Sequence, residues 1–573
     1  MKHLITIIVF NFINLQMAAQ TIDKIRVEKL IDTIFKSFDN PRSPGAAVTV
    51  LQNGKVITKK NYGMANLEHS IPFTHQSPVR LIYSMGREFM CAGLSVMESE
   101  GLLRFDDKVR SYFPKLPEWS KDVTIQDLLN HRSGFDDEWS LLLLMHAEMR
   151  NRVDNEQLLT LLYNQPKPQV EPGKGYMYCN TDFALLRFVM EIASKQSLPD
   201  YLKKRLFAPL GMSSTLMNDD IEAVIPGFAE SYYGGNPIRK ARFYKTSPGG
   251  NYRIVTTADD LEKWLIAIDD SSSVVAKAFV RLYQDAKPIP VMYPERHFVF
   301  GHEWRSRDTT AYVYHGGVSE SFFMFRIPSR RIAVIGFGNS GNSIGATMQL
   351  ADSLLPGKRV SMASVPVFPI EQATLKKDEL AKYAGRYFEQ NVKGYNSHIK
   401  SLSFYDIKQE GDSLNFYYTS NASFPITAFG NGFFKSMEFS TLLKFTQSHS
   451  DSAMNLLISS TDGSEKKMLQ REETKVKVTK AYLQQFTARF YSPHLDYYFR
   501  IVQNQEGQLI IKRPTLSDKT MEPYGENRFF FEGDTGAYNF YTVATFTKNK
   551  KGEVDGFNLQ DSRMMHHRFN KVK

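Results

Sequence analysis

The stretch Ser84-Met-Gly-Arg-Glu-Phe-Met-Cys-Ala-Gly-Leu-Ser-Val-Met97 determines how this sequence is interpreted. From Phe89 its apolar residues recur at helical spacing until Gly101, so the pattern predicts a helix with one buried face and Ser84 at its entrance. Ser84 and Arg87 are three residues apart, which places a hydroxyl and a cation on one face. The N-terminal end of the helix would stabilise negative charge near Ser84. Taken alone, this tetrad is more typical of a capped helix with a solvated charge.

A second candidate segment is Tyr178-Cys179-Asn180. Alternate residues of an extended segment share one side, so the phenol and the amide would point the same way while Cys179 points the other. The structural alternative is a buried aromatic residue followed by Asn180 as the N-cap of a helix that contains residues 183–192. The segment alone leaves both interpretations open.

A third candidate is His315-Gly316-Gly317, which follows a predicted strand over residues 310–314. Its glycines would let a substrate backbone approach closely and pair with the strand. A simple turn between two strands explains the same residues equally well.

The surrounding sequence predicts an α+β fold. Asn53-Gly54 lies between two alternating segments, 47–51 and 56–58, which is typical of a hairpin with a tight type I′ turn. Three further strands are predicted over residues 310–314, 322–327 and 331–337. Helical patterns lie between the two groups of strands, and the capping-box sequence Thr124 to Asp127 begins one of these helices. We therefore expect an antiparallel sheet built from the first and last segments and covered by helices.

The three candidate segments occur in the order of a known set of motifs. Ser-x-x-Lys, Tyr-x-Asn and Lys/His-x-Gly correspond to positions 84, 178 and 315, and over residues 24–355 the sequence resembles the serine β-lactamase and penicillin-binding protein family, particularly its class C, D-aminopeptidase and esterase branch. Other stretches similar to that branch are Gly101 to Asp107, Leu128-Leu-Asn-His-Arg-Ser-Gly134, Leu210-Gly-Met212, Ser247-Pro-Gly-Gly250, Thr257 to Leu261 and Gly336-Phe-Gly-Asn339.

The resemblance implies a role for each matched residue in an acyl-enzyme mechanism. The implied catalytic residues are Ser84 as nucleophile, Tyr178 as base or proton shuttle, His315 as the third-motif residue and Arg87 at the lysine position. The implied substrate-binding residues are Asn180, Gly316, Gly317 and Val318, with the N–H groups of Ser84 and Val318 forming the oxyanion hole.

Arg87 departs from the family pattern, which has lysine at this position. A guanidinium group keeps its proton and cannot serve as a base. Its positive charge could favour the phenolate form of Tyr178 and leave that residue as the only base. Arg87 could equally fill the space of a lost lysine in a protein that binds its ligand without turnover.

The chain beyond the resemblance has a different organisation. Residues 356–374 carry Pro356, Gly357, Pro366 and Pro369 and predict a linker after a hydrolase domain over 20–355. Leu380-Ala-Lys-Tyr-Ala-Gly-Arg-Tyr387 then recurs as Leu483-Gln-Gln-Phe-Thr-Ala-Arg-Phe490, displaced by 103 residues. We therefore expect two all-β modules, 375–475 and 476–573, each a small barrel or sandwich. They resemble the lipocalin-like modules appended to such hydrolases.

Composition excludes several classes of protein. The 573 residues include 71 Lys and Arg against 61 Asp and Glu with no basic block, which argues against a nucleic-acid partner. The two cysteines, Cys91 and Cys179, cannot form a disulfide scaffold or a zinc site, so we expect no metal or cofactor, and we expect both thiols to be unpaired.

Residues 1–19 are typical of a cleavable signal peptide, and no later apolar run predicts a transmembrane segment.

Together these observations predict a secreted or periplasmic serine hydrolase. It would cleave an amide or ester bond of a small molecule or peptide, such as a peptidoglycan-type peptide, a β-lactam or an ester. One alternative is an impaired hydrolase that binds such a ligand without turnover. A second alternative is a carbohydrate- or surface-binding protein whose β modules carry the function.

Overall fold

The computed structural model describes the following parts of the chain: residues 21–81, 86–145, 155–220, 223–233, 238–240, 254–284, 286–291, 293–307, 310–316, 322–340, 342–356, 373–389, 404–419, 422–429, 431–436, 441–447, 454–460, 466–471, 478–514, 516–532, 541–561 and 564–572. The predicted signal peptide and most of the predicted linker therefore lie outside the described residues. The chain divides into two compact units, residues 1–138 with 149–356, and residues 139–148 with 357–573.

The α-helices before residue 357 are α1 (Lys24–Ile34), α2 (Gly86–Ser99), α3 (Val109–Tyr112), α4 (Ile125–Leu129), α5 (Glu138–Met145), α6 (Asn155–Tyr163), α7 (Asn180–Ser194), α8 (Leu198–Leu202), α9 (Ala258–Asp269), α10 (Val274–Gln284) and α11 (Asn342–Leu354). The strands are β1 (Ala46–Gln52), β2 (Lys55–Tyr62), β3 (Met64–Asn66), β4 (Ile71–Pro72), β5 (Val79–Leu81), β6 (Leu216–Met217), β7 (Tyr232–Tyr233), β8 (Arg239–Lys240), β9 (Ile254–Thr256), β10 (Ile289–Val291), β11 (Tyr293–Val299), β12 (His302–Arg307), β13 (Thr310–Gly316), β14 (Phe322–Ile327) and β15 (Ile332–Gly338).

The main sheet joins both ends of the first unit, as the sequence predicts. Its eight antiparallel strands lie in the order β10-β11-β12-β13-β14-β15-β1-β2. Asn53 and Gly54 have φ angles of 54° and 68°, the two left-handed positions that the predicted turn between β1 and β2 requires. Strand β1 then pairs along its whole length with β15, from Ala46 opposite Gly338 to Gln52 opposite Ile332.

The two faces of the sheet pack against separate hydrophobic cores. Val48 and Val50 point to the core that α1 and α11 share, whereas Ala47 and Leu51 point to the larger core around α2, α7, α9 and α10. This alternation is the two-residue period of a strand covered on both sides. Helix α2 lies deep in the larger core, because every residue from Gly86 to Met97 is buried. The fold therefore holds the first turn of α2 in a fixed, largely dry environment.

The second unit contains two closed eight-stranded barrels, each preceded by a short helix. The first follows α12 (Lys377–Ala381) and consists of β16 (Gly385–Glu389), β17 (Phe404–Glu410), β18 (Ser413–Thr419), β19 (Ala422–Ala428), β20 (Phe433–Ser436), β21 (Thr441–Gln447), β22 (Met454–Ser460) and β23 (Lys466–Arg471). The second follows α13 (Lys480–Gln484) and consists of β24 (Ala488–Ser492), β25 (Tyr497–Gln503), β26 (Leu509–Arg513), β27 (Leu516–Gly525), β28 (Arg528–Glu532), β29 (Tyr541–Lys548), β30 (Val554–Asp561) and β31 (Met564–Val572).

The sequence repeat corresponds to a structural repeat. Helix α12 and strand β16 begin at Lys377 and Gly385, and α13 and β24 begin 103 residues later, at Lys480 and Ala488. In each barrel the first strand pairs with the last, so the sheet closes. These barrels fit lipocalin-like modules, and the predicted fold class is confirmed.

Aromatic side chains fill the interior of the second barrel. The ring of Phe546 lies 4.6 Å from that of Phe486 and 5.2 Å from that of Phe557, and Phe490 lies 4.9 Å from Phe557. A barrel of eight strands is just wide enough for side chains to fill it. Its described interior is therefore a packed core.

Within the described part of the chain, no helix combines the length and the apolar character needed to cross a membrane.

Candidate active site

Arg87 is the central residue of the site. It lies in the first turn of α2, and only 1% of its surface is exposed. One terminal nitrogen donates a hydrogen bond to Asn180 Oδ1 at 2.7 Å, and the other lies 3.3 Å from His131 Nε2. The guanidinium group therefore links the first motif directly to the second.

Two aromatic rings enclose the same guanidinium group. Its central carbon lies 4.5 Å from the ring centre of Tyr178 and 4.7 Å from that of Phe183. A cation over an aromatic face is stabilised by the electrons of the ring, more strongly where water is excluded. The positive charge of Arg87 thus lies over the face of the Tyr178 ring.

Asn180 lies in the first turn of α7 with its side-chain amide bonded at both ends. The backbone N–H and Nδ2 both donate to Asp137 Oδ2, at 2.7 and 2.9 Å, while Oδ1 accepts from Arg87. The N-cap of α7 is Cys179, so the alternative interpretation of Asn180 as the N-cap is wrong. These contacts fix the orientation of the amide.

His131, Asp182 and Ser133 extend the network, and the sequence prediction did not include them as site residues. His131 Nδ1 lies 3.2 Å from Asp182 Oδ2, and the Ser133 hydroxyl donates to the other oxygen of that carboxyl. Burial raises the pKa of Asp182 well above its usual range, and the hydrogen bond from Ser133 offsets only part of that effect. The stretch Leu128 to Gly134, quoted for its resemblance alone, contained the signal for two of them.

A second buried polar cluster links the first motif to the third. Glu88, next to Arg87, has an exposed fraction of 1%, and its Oε2 lies 2.6 Å from His302 Nε2 and 3.2 Å from His315 Nδ1. Trp264 Nε1–H donates to Oε1 at 3.1 Å. Burial raises the pKa of Glu88, but the charge of His302 and the hydrogen bonds from both histidines outweigh it and hold the pKa well below its usual range. Glu88 and His302 were also missed, because neither matches a motif.

The ligand types of Glu88, His302 and His315 are those of a zinc site. Two atoms bound to one zinc ion at about 2.0–2.2 Å lie about 3 Å apart or more in tetrahedral geometry. The 2.6 Å between Glu88 Oε2 and His302 Nε2 is shorter than that and has the length of a charge-assisted hydrogen bond. The distances therefore fit a hydrogen-bonded cluster better than a set of metal ligands.

Both cysteines are unpaired and buried, which confirms that prediction. Cys179 Sγ lies 3.5 Å from the carbonyl oxygen of Phe135, on the side of the segment away from Arg87. Burial raises the pKa of both thiols, so neither has the character of a nucleophile.

The remaining predicted site residues divide into two groups. Gly316 is the last residue of β13, so the strand continues two residues beyond its predicted end at Tyr314. Ser84, Gly317 and Val318 lie outside the described residues.

Comparison with known proteins gives a family match. The family described as Beta-lactamase matches residues 30–354. A D-aminopeptidase of Brucella anthropi is 33% identical over 200 residues, which cover 35% of this chain and 37% of that protein. A penicillin-binding protein of Bacillus subtilis is 29% identical over 188 residues, covering 33% of this chain and 41% of the relative. The chain thus spans well under two thirds of the length of these curated relatives.

One similar solved structure covers more of the chain. A penicillin-binding protein homologue from Pyrococcus abyssi, described as octameric, superposes with a TM-score of 0.51 at 19% identity. The match covers 78% of this chain and 100% of that one. At this identity the likeness concerns the fold.

Proposed function

Because the chain belongs to the beta-lactamase family, we propose that it is a serine hydrolase that cleaves an amide or ester bond through an acyl-Ser84 intermediate. The observation that supports this most strongly is that consecutive residues of one helix turn contact the second and third motifs. Arg87 bonds to Asn180 and stacks on Tyr178, while its neighbour Glu88 bonds to His315. Residues separated by up to 227 positions meet around one buried helix turn, as a catalytic site requires.

In the proposed reaction Ser84 Oγ attacks the carbonyl carbon and Tyr178 receives its proton. The guanidinium carbon of Arg87 lies 4.5 Å from the ring centre of Tyr178, so a positive charge is close to the proposed base. The N–H groups of Ser84 and Val318 would stabilise the oxyanion, and Asn180 would contact the substrate amide. Water then releases the acyl group by the reverse sequence of proton transfers.

The proposed substrate is a small amide, peptide or ester. A D-aminopeptidase and a penicillin-binding protein among the relatives favour an amide next to a D-amino acid, as in peptidoglycan peptides. We also propose export to the periplasm or beyond, on the basis of residues 1–19. N-terminal sequencing of protein recovered from the producing cells would show whether that segment is removed.

The second candidate function is binding without turnover. The contacts of Arg87 favour it, because the guanidinium group is bonded to Asn180 Oδ1, an atom that the substrate amide would otherwise contact. A protein of this kind would retain the pocket and its affinity for the ligand.

Acylation of Ser84 separates the two functions. Intact protein is treated with a fluorophosphonate and with a fluorescent penicillin, and Ser84→Ala provides the background. The second-order rate with an activated ester is then measured from pH 6 to 10 for the wild type, Arg87→Lys, Tyr178→Phe and the double variant. A hydrolase with Tyr178 as base should acylate faster at higher pH and should lose this gain in Tyr178→Phe.

Arg87→Lys introduces a group that burial can deprotonate, so the rate should increase and its rise should move toward neutral pH. Tyr178→Phe should abolish acylation in the native protein and cost less in the lysine variant. Acylation in Arg87→Lys alone would favour the binding function. Acylation in neither protein would refute Ser84 as the nucleophile.

A further inference from the structure

The repeated arginine of the two barrels has different neighbours in each copy. Arg386 of β16 and Arg489 of β24 are equivalent residues of the sequence repeat, 103 positions apart. Arg386 lies directly opposite Asp406 in the pairing of β16 with β17. Arg489 lies directly opposite Arg500 in the pairing of β24 with β25. The acidic neighbour of the first barrel is therefore replaced by a second cation in the second barrel.

In the first barrel this arginine binds the surface of the second barrel, and both barrels belong to one compact unit. Nε and Nη2 of Arg386 donate to the two carboxylate oxygens of Asp406, at 2.8 and 3.0 Å. Its Nη1 donates to Glu522 of β27 at 2.7 Å, and the guanidinium carbon lies 5.3 Å from the ring centre of Phe530 in β28. This position of the repeat thus binds a protein surface that presents a carboxylate beside an aromatic ring.

In the second barrel the same position is part of an exposed row of cations. Arg489, Arg500 and Lys512 lie directly opposite one another across β24, β25 and β26, and all three are exposed. We call these three residues the basic row. Side chains opposed on neighbouring strands lie about 5 Å apart, and like charges in such positions are destabilising. The row therefore costs the barrel stability when nothing is bound to it.

Little within the chain compensates this charge. The guanidinium carbon of Arg489 lies 4.5 Å from the ring centre of Tyr498, a side chain that is 40% exposed. Lys512 Nζ lies 3.3 Å from the carboxylate of Asp518 in β27. In the described part of the chain neither Arg489 nor Arg500 forms an ion pair. Two guanidinium groups are thus available to a partner beside an exposed aromatic ring.

Charge determines which kind of partner fits. The chain has a formal net charge of +10, so two copies repel each other, and a second copy of this chain is a poor occupant of the basic row. A guanidinium group matches a carboxylate with two parallel hydrogen bonds, as Arg386 does with Asp406. The contacts of Arg386 with Glu522 and Phe530 show that a polypeptide surface can supply this chemistry.

We propose that the basic row is a docking surface for an acidic segment of another protein. Carboxylates of that segment bond to Arg489 and Arg500 as those of Asp406 and Glu522 bond to Arg386, and they remove the repulsion between the two arginines. This inference is independent of the proposed hydrolase activity.

The test is the fluorescence anisotropy of a fluorescein-labelled hexaglutamate peptide titrated with the full chain, with hexaglutamine as the control peptide. We expect saturable binding of hexaglutamate alone, weakened by added sodium chloride. Arg489→Gln combined with Arg500→Gln should raise Kd about tenfold or more, since each lost charge-assisted hydrogen bond contributes about that factor. The matched control is Lys550→Gln with Lys551→Gln, which removes the same charge from exposed residues between β29 and β30. It should change Kd by less than about twofold.

Arg500→Asp distinguishes lost docking from lost folding. It places an acid opposite Arg489, as Asp406 lies opposite Arg386, so we expect no peptide binding and a Tm at least as high as that of the wild type. An equal loss of binding in the two glutamine double variants, or a wild type that does not bind hexaglutamate, would overturn the proposal. Tighter binding to phosphatidylglycerol vesicles that depends on Arg489 and Arg500 would assign the basic row to a lipid surface and overturn the protein partner.

Discussion

Gly336 should tolerate no larger residue, because helix α11 packs directly on it. Gly336 lies in β15 between Val48 of β1 and Phe323 of β14. A Cβ atom at this position would lie 1.7 Å from Thr347 Oγ1 and 2.4 and 2.5 Å from its Cγ2 and Cβ. Rotation of the threonine side chain can move the first two atoms. The contact with Cβ can be relieved only by moving the helix away from the sheet.

The expected loss of stability on Gly336→Ala follows from these distances. Overpacking in a well-packed core costs about 1–3 kcal/mol. Gly336→Ala should reach the upper end, about 3 kcal/mol, because Thr347 is fully buried and the shift involves a whole helix. One kcal/mol corresponds to about 2–4 °C in Tm for a domain of 150–250 residues. A loss of about 3 kcal/mol would lower the Tm of such a domain by about 6–12 °C, and that of the larger first unit by somewhat less.

The assay is differential scanning calorimetry of the full chain, with Gly345→Ala as the matched control. Gly345 lies in α11, is exposed and has no heavy atom within 4 Å of its ideal Cβ position. Replacing a helical glycine by alanine should stabilise the protein by about 0.5–1 kcal/mol. Thr347→Ala removes two of the three clashing atoms and should restore part of the loss when combined with Gly336→Ala. A Gly336→Ala protein that unfolds within about 1 °C of the wild type would refute the reasoning.

Three other predictions concern protonation, thiols and the barrels. Burial lowers the pKa of His75 to about 4 from an unfolded value near 6.5. Between these pH values only the unfolded chain binds the proton. The free energy of unfolding should therefore fall by up to about 3 kcal/mol as the pH drops from 6.5 to 4. His75→Gln should flatten the acid side of a pH-dependent unfolding curve, and an unchanged curve would contradict the assignment. Titration of denatured, unreduced protein should find two free thiols, and finding none would contradict the unpaired state of Cys91 and Cys179. Residues 375–573 should fold without the front unit into a soluble β-rich protein, since each barrel has its own core, and an aggregated product would contradict separate cores.

Short sequence patterns predicted those elements whose conformation depends mainly on neighbouring residues. Asn53-Gly54 imposes its turn through two residues, and the apolar spacing after Phe89 predicts the helix α2. The expected single buried face is wrong, because α2 is buried on all sides from Gly86 to Met97. Glu88 and His302 could not be found this way. They meet across 214 positions, and a buried charged residue one place after a motif gives no periodic signal.

The contacts of Arg87 could not be predicted from the sequence either. The sequence shows that an arginine stands at the lysine position, and chemistry then excludes it as a base. That its partners are Asn180 Oδ1, His131 and the face of Tyr178 depends on how α2, α4 and α7 pack. Side-chain positions of this kind follow from the tertiary structure and are not encoded in any one segment.

The pairing of β1 with β15 also constrains when the protein can fold. Gly45 and Asn339, joined by a hydrogen bond next to that pairing, are 294 residues apart. Most of the front unit must therefore be synthesised before β1 can pair with β15, and until then the β1–β2 hairpin has no partner along one edge. Each barrel closes over a much shorter length of chain, so loop closure costs it less entropy. The last segments to be synthesised can thus close their sheets within a short length of chain, whereas the first segment waits longest for its partner strand.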